Sequence, residues 1–187
     1  AWVDAEVALA VAAAKRIGSR HIAVLGGADP ALPRAEAHRA FAAHLRRAGD
    51  VAAAAGLTIV LEHLNEATVP GMLLHRLDET LALLAATDHP AVRLIFDTGH
   101  VAAMDGALLP ALERAWRWVE VVQIADQPGR VEPGAGRAGV VELLDWLHAR
   151  GHAGLVELEH GWAVPGRTSE AAGLQALARW LSRGASG

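Results

Sequence analysis

The chain has 187 residues, 52% hydrophobic and 20% charged, enough for one sizeable core and far from the composition of a disordered segment. A formal net charge of −4, with acids and bases interspersed, gives no electrostatic reason to expect a nucleic-acid or anionic-membrane partner. There is no cysteine, which removes disulfides, thiol nucleophiles and thiolate metal sites, and Lys15, as the sole lysine, leaves almost no candidate for Schiff-base chemistry.

The predicted elements alternate from end to end. Asp4–Ile17 has helical period and Gly18 as a stop; the Ala-rich start lacks a basic leading segment and carries Asp4 and Glu6, so it reads as a helix and not a secretory signal. His21–Leu25 is a short strand closed by Gly26–Gly27, and Arg34–Ala55 a long helix ended by Gly56. Thr58–Glu62 is a strand; after the Pro70–Gly71 turn, Leu73–Ala86 is helix. Val92–Asp97 is a strand and Asp105–Trp118 mostly helix. Val119–Ile124 is a strand, followed by a polar Gly/Pro-rich loop over Asp126–Gly136. Val140–Arg150 is helix, Gly154–Glu159 strand, and Ser169–Arg183 a closing helix with Ser169 as its N-cap. No apolar stretch reaches the roughly 18 uncharged residues of a membrane span, so the expected location is cytoplasmic.

Near-continuous aliphatic strands separated by helices predict an α/β fold with a parallel sheet buried on both faces. Four of these strands run out at a residue with an oxygen donor: Glu62, Asp97, Gln123 and Glu159, spaced by 35, 26 and 36 residues. An open doubly wound sheet concentrates its site at one switch point, whereas a closed barrel places chemistry at every strand's C-terminal end. The pattern therefore predicts a (β/α)8 TIM barrel. With five strands visible where eight are needed, the chain is expected to be a single domain over residues 1–187 that lacks the first three βα units, with an unpaired edge at His21–Leu25.

The chemistry left open is that of carboxylates, histidine and arginine; no phosphate-binding or dinucleotide-binding glycine loop follows a strand, and no serine stands in a nucleophile turn. Two Glu, one Asp and one Gln form an oxygen set that suits Mg²⁺ or Mn²⁺ better than Zn²⁺. Such an ion polarises a carbonyl and stabilises an enediolate while Glu62 and Glu159 move a proton between adjacent carbons, which is aldose–ketose isomerisation or epimerisation. Asn65 in LEHLNE, and His100 beyond a flexible Thr98–Gly99 in FDTGH, are candidates to hold substrate oxygens. The plainer reading makes Asp97 a helix cap and His63 and Asn65 turn residues. Glu157 shares the parity of Glu159 but lies one layer deeper, so Glu159 is the better ligand; His75, His89 and His148 read as surface residues.

LEHLN, VPGMLLH, VRLIFDTGH, VVQIADQPGRVEPGAG and GLVELEH, in that order, resemble the hydroxypyruvate isomerase branch of the xylose isomerase-like TIM-barrel family, over about residues 10–180. The resemblance implies that Glu62, Asp97, Gln123 and Glu159 hold the divalent metal, that Glu62 and Glu159 are the acid–base pair, and that His100 and Arg130 hold the substrate. It implies isomerisation of hydroxypyruvate and tartronate semialdehyde or a related small hydroxy-carbonyl compound. Gln123 replaces the His usual in related sugar epimerases, Arg137 replaces a Glu, and His160–Gly161 replaces an aromatic–basic pair. A sugar epimerase and an inactive truncated barrel remain as alternatives. Endonuclease IV-like hydrolysis of abasic DNA ranks below them for want of a histidine cluster and a basic groove. A homo-oligomer is left open.

Overall fold

The computed structural model describes residues 2–182 and contains five parallel strands, β1 (His21–Leu25), β2 (Thr58–Glu62), β3 (Val92–Asp97), β4 (Val119–Ile124) and β5 (Leu155–Leu158). Around them lie α1 (Trp2–Ile17), α2 (Arg34–Ala54), α3 (Leu77–Thr87), α4 (Thr98–Met104), α5 (Leu108–Ala115), α6 (Val140–Ala149) and α7 (Arg167–Ser182), with a 3₁₀ turn over Trp116–Trp118. The strands pair in chain order, β1-β2-β3-β4-β5. Right-handed crossovers that always step the same way put every helix on one side of the sheet, so the sheet curls into half of a barrel. Among the described residues β1 and β5 are each paired on one side only. No helix among these residues is long and apolar enough to cross a membrane.

Alternation along the strands separates the two faces. Ile59 and Leu61 of β2, Leu94 and Phe96 of β3, and Val122 and Ile124 of β4 are fully buried against the helices, where they meet Leu45, Leu77, Leu112, Leu143 and Leu147. Removing a side chain such as Phe96 from this layer would cost about 3–5 kcal/mol. The inner face carries a separate small cluster of Val60, Ile95 and Val121, the floor beneath the strand ends.

The strands fall where the sequence puts them, apart from β5, which stops at Leu158 and leaves Glu159 just beyond it. The helices differ more. Leu73 and Leu74 precede α3 because Leu73 N–H donates to Gly26 O (2.8 Å) and both side chains are spent in the core. The stretch Asp105–Trp118, expected to be mostly helix, is α5 and the 3₁₀ turn after it, starting at Leu108 because Gly106 takes a left-handed φ of 79°; α4, which begins directly at Thr98, is additional to the expected elements. Ser169 lies inside α7 and is not its cap; Arg183, the expected end of that helix, lies outside the described residues.

Candidate functional site

The C-terminal ends of β2 and β3 bring Glu62, Asp97 and His100 together, with one ligand atom of each within 4.8 Å of the others. Asp97 closes β3 and caps α4: Oδ1 accepts from His100 N–H at 3.0 Å. The cap reading thus holds for this carboxylate. Its side chain, only 1% exposed, also receives the Arg130 guanidinium as a fork, Nη1 to Oδ1 at 3.3 Å and Nη2 to Oδ2 at 2.9 Å. Gly99 makes this approach possible, because a Cβ there would stand 2.8 Å from Arg130 Nη1 and 3.1 Å from Asp97 Oδ1.

The Thr98–Gly99 pair, expected to be flexible, is a buried clasp. Thr98 Oγ1 donates to Ala125 O (2.9 Å) and accepts from Ala125 N–H (2.8 Å), tying the start of α4 to the end of β4. His100 is locked from its other side: Nδ1 lies 3.1 Å from the backbone N–H of Asn65 and 2.8 Å from Asn65 Nδ2. An N–H donor fixes Nδ1 as the acceptor, so the neutral ring carries its proton on Nε2, 3.9 Å from Glu62 Oε1. Burial holds the His100 pKa below its ordinary value, which keeps the ring neutral. In this tautomer His100 is a hydrogen-bond donor toward the site and has no lone pair there for a metal. Asn65 is occupied in positioning it, and its Oδ1 accepts from Thr68 N–H at 2.9 Å.

His63 and Asn65 lie in the loop that follows β2, as the plainer reading has them, but both are buried. His63 is completely buried with neither ring nitrogen partnered, and burial, aided by His100, pushes its pKa down to about 4. Of the histidines read as surface residues, His148 is exposed, but His75 bonds Leu64 O through Nδ1 and ion-pairs with Glu66, and His89 meets Asp50.

Gln123 reaches the inner face through a bulge. Leu94 pairs with Val119 but Ile95 pairs with Val121, so β4 holds one extra residue. The insertion inverts the alternation beyond it and turns Gln123 to the side of Asp97, its register partner. In turn Gln123 pairs with Glu157. The layer below Glu159 is therefore the layer of Asp97 and Gln123, and Glu157 is part of it. Gln123 Nε2 donates to Glu157 Oε2 at 3.1 Å, while its Oε1 is buried without a partner. Glu159 follows β5, its N–H bonded to Ile124 O; its half-exposed carboxylate lies 3.5 Å from Arg130 Nη2.

Arg130 is delivered by a loop organised on Asp126, a residue the sequence reading passed over. Asp126 is 2% exposed, and its carboxylate accepts from the N–H groups of Gln127 (2.8 Å), Ala138 (2.9 Å) and Gly134 (3.0 Å). Its backbone pairs both ways with Val131. Gly136 passes so close that a Cβ would lie 2.5 Å from Asp126 Oδ1. Arg130 itself adopts a left-handed φ of 51° and anchors Gly161 N–H through its carbonyl (2.7 Å). The only early signal was an acid at the foot of a Gly/Pro-rich loop.

Four carboxylates, Glu62, Asp97, Glu157 and Glu159, thus share one region with a single guanidinium. Burial, then the charges of Asp97 and Glu159, pushes Glu62 up to about 7. Burial, then Asp97, also raises Glu159. Excess negative charge, converging carboxylate oxygens and the orphaned Gln123 carbonyl together make a site that could hold a divalent cation through oxygen.

Comparison with known proteins identifies the fold's family. The model of the family described as xylose isomerase-like TIM barrel matches residues 4–183. The chain belongs to that family. Among curated relatives in it, 2-oxo-tetronate isomerase of Cupriavidus necator is 29% identical over 168 residues, covering 89% of this chain and 63% of the relative. Hydroxypyruvate isomerase of Escherichia coli is 27% identical over 176 residues, 94% of this chain and 65% of the relative. The chain thus spans less than two thirds of either. A crystal structure titled AP endonuclease, family 2, from Brucella melitensis superposes with a TM-score of 0.85 at 28% identity, covering 95% of this chain and 67% of that one. The five-stranded half-barrel matches part of such a barrel.

Proposed function

We propose that this protein is a divalent-metal-assisted isomerase of a small hydroxy-carbonyl compound, of the hydroxypyruvate/tartronate semialdehyde type. The observation that carries the reading is the convergence of Glu62 and Asp97 at adjoining strand ends, with Gln123 in register beside Asp97 and its carbonyl without a partner, in a chain related to named isomerases of small keto acids. Glu62, Asp97, Gln123 and Glu159 would hold Mg²⁺ or Mn²⁺. Bound there, the ion would supply electrophilic stabilisation of negative charge developing on the substrate's oxygens.

The protein's own groups do the rest. Glu62, raised to about 7, exchanges a proton near neutral pH, and Glu159, also raised, takes the opposite role. His100 Nε2–H donates to a substrate oxygen beside Glu62, in an orientation set by Asn65. Arg130 offers its guanidinium to a substrate carboxylate from the loop fixed by Asp126. Three strand-end carboxylates and a net charge of −4 disfavour a polyanionic DNA substrate, the reading suggested by the name AP endonuclease of the Brucella melitensis protein.

The test is turnover of hydroxypyruvate with Mn²⁺ or Mg²⁺, with incorporation of solvent deuterium beside the carbonyl. Glu62→Gln and Glu159→Gln should each lower it by about 100-fold or more, the usual scale of general acid–base catalysis. Unchanged rates in both variants would refute the two-glutamate relay, and nicking of an abasic duplex would replace the reading altogether.

A further inference from the structure

Gln123 is a neutral amide among carboxylates, and an amide fits its socket in either of two orientations. Only one presents an oxygen to the site. A carboxylate has no proton to give, so the group that faces Glu157 Oε2 at 3.1 Å must be the NH₂. That contact turns the carbonyl oxygen away from Glu157, where it is buried and has no other partner. The register makes the contact unavoidable: Asp97, Gln123 and Glu157 stand abreast on β3, β4 and β5. Asp97 flanks Gln123 on the other side and, being anionic, would itself attract the NH₂ if Glu157 were absent. An amide reversed in that way would offer the site hydrogens in place of an oxygen and would occupy Asp97.

We infer that Glu157 is a positioning residue that holds the Gln123 amide with its carbonyl oxygen free for a hard divalent cation. The inference rests on Gln123 being a ligand of the proposed metal, while the orientation itself can be measured without metal. It explains why a third polar residue sits in this layer when Glu159 already serves the rim above it. Glu157 in this role acts through a hydrogen bond and does not touch substrate.

The experiment has two arms on the whole protein. In the metal-free state, nuclear Overhauser contacts of the Gln123 side-chain NH₂ should run to the residue 157 side chain in the wild type and in Glu157→Gln, whose carbonyl still accepts the bond, and should shift to Asp97 in Glu157→Leu. In the second arm, Mn²⁺ affinity is read by calorimetry. Glu157→Leu should weaken it about 10-fold or more, the scale found for partners that orient metal ligands, and Glu157→Gln should retain most of it. Placed on a Gln123→Ala background, Glu157→Leu should have no further effect. Equal losses in Glu157→Gln and Glu157→Leu, or an undiminished loss on the Gln123→Ala background, would mean that Glu157 acts by charge alone and would overturn the inference. So would an amide signal indifferent to Glu157→Leu. If the wild type bound no Mn²⁺ the metal reading would fall, and the amide signal would still decide the orientation.

Discussion

Substituting Glu62 by Gln should make the metal-free protein more stable at pH 8 while disabling its chemistry. The folded state raises the Glu62 pKa from 4.5 to about 7, so the folded chain holds this proton more tightly than the unfolded chain. Stability from that proton is fully present below pH 4.5 and is lost as pH rises through about 7. At 1.36 kcal/mol per unit, the shift amounts to about 3 kcal/mol of destabilisation at pH 8 as an upper limit. Solvent entering the open half-barrel lowers the expected value to about 1.5–3 kcal/mol. The neutral amide removes that term at every pH. Urea unfolding in EDTA at pH 5 and pH 8 measures it: the advantage of Glu62→Gln should grow by about 1–2.5 kcal/mol between them. Other titrating groups cancel in the comparison, since both proteins carry them. Adding Mn²⁺ at pH 8 should then stabilise the wild type more than the variant, because only the wild type gains full ligand affinity. An advantage that does not change with pH, or that shrinks toward pH 8, would refute the argument that burial and the Asp97 charge strain this carboxylate.

Two further substitutions probe the guanidinium and the loop that delivers it. Arg130→Ala leaves Asp97, 1% exposed, without its fork, and should cost about 2–4 kcal/mol in urea melts without metal, less with Mn²⁺ present. Asp126→Ala strips the acceptor from three backbone N–H groups and should destabilise by about 2–4 kcal/mol. Limited proteolysis should then cut residues 126–138 well before global unfolding. A loop as resistant as in the wild type would show that Asp126 is not its organiser.

The strands were legible because each is a near-unbroken aliphatic run, and buried parallel strands leave little freedom of placement. Glu62 and Asp97 could be read for the same reason: each ends its strand. Gln123 was found by its place near a strand end, but the alternation counted from Val119 would have turned it to the helices. The bulge that reverses it comes from the pairing with β3, which is not local to β4. Glu157 was judged too deep because depth was counted along β5 alone, whereas the layer of a barrel is defined across strands. The clasp between Thr98 and Ala125 spans 27 residues, and the bond from Asn65 to His100 spans 35. No periodicity encodes such contacts.

The same reasoning limits what a strand-end motif can say about a residue's role. FDTGH supplies a carboxylate and an imidazole, but their roles follow from partners elsewhere in the chain. The Asn65 N–H makes His100 a donor; had that nitrogen faced an acceptor carbonyl, Nε2 would have been free to bind a metal. Asp97 caps α4 with the oxygen that faces His100 N–H, and this leaves Oδ2 as the atom on which Arg130 and a cation would compete. Arg130 can hold that position only because Gly99 has no side chain. Gly99→Ala should therefore displace the guanidinium while asking only a small adjustment of Asp97, whose Oδ1 would stand 3.1 Å from the new Cβ, and should weaken substrate binding more than Mn²⁺ binding. Parallel losses in both would mean that the substitution disturbs Asp97 itself, and that the guanidinium is not independently placed.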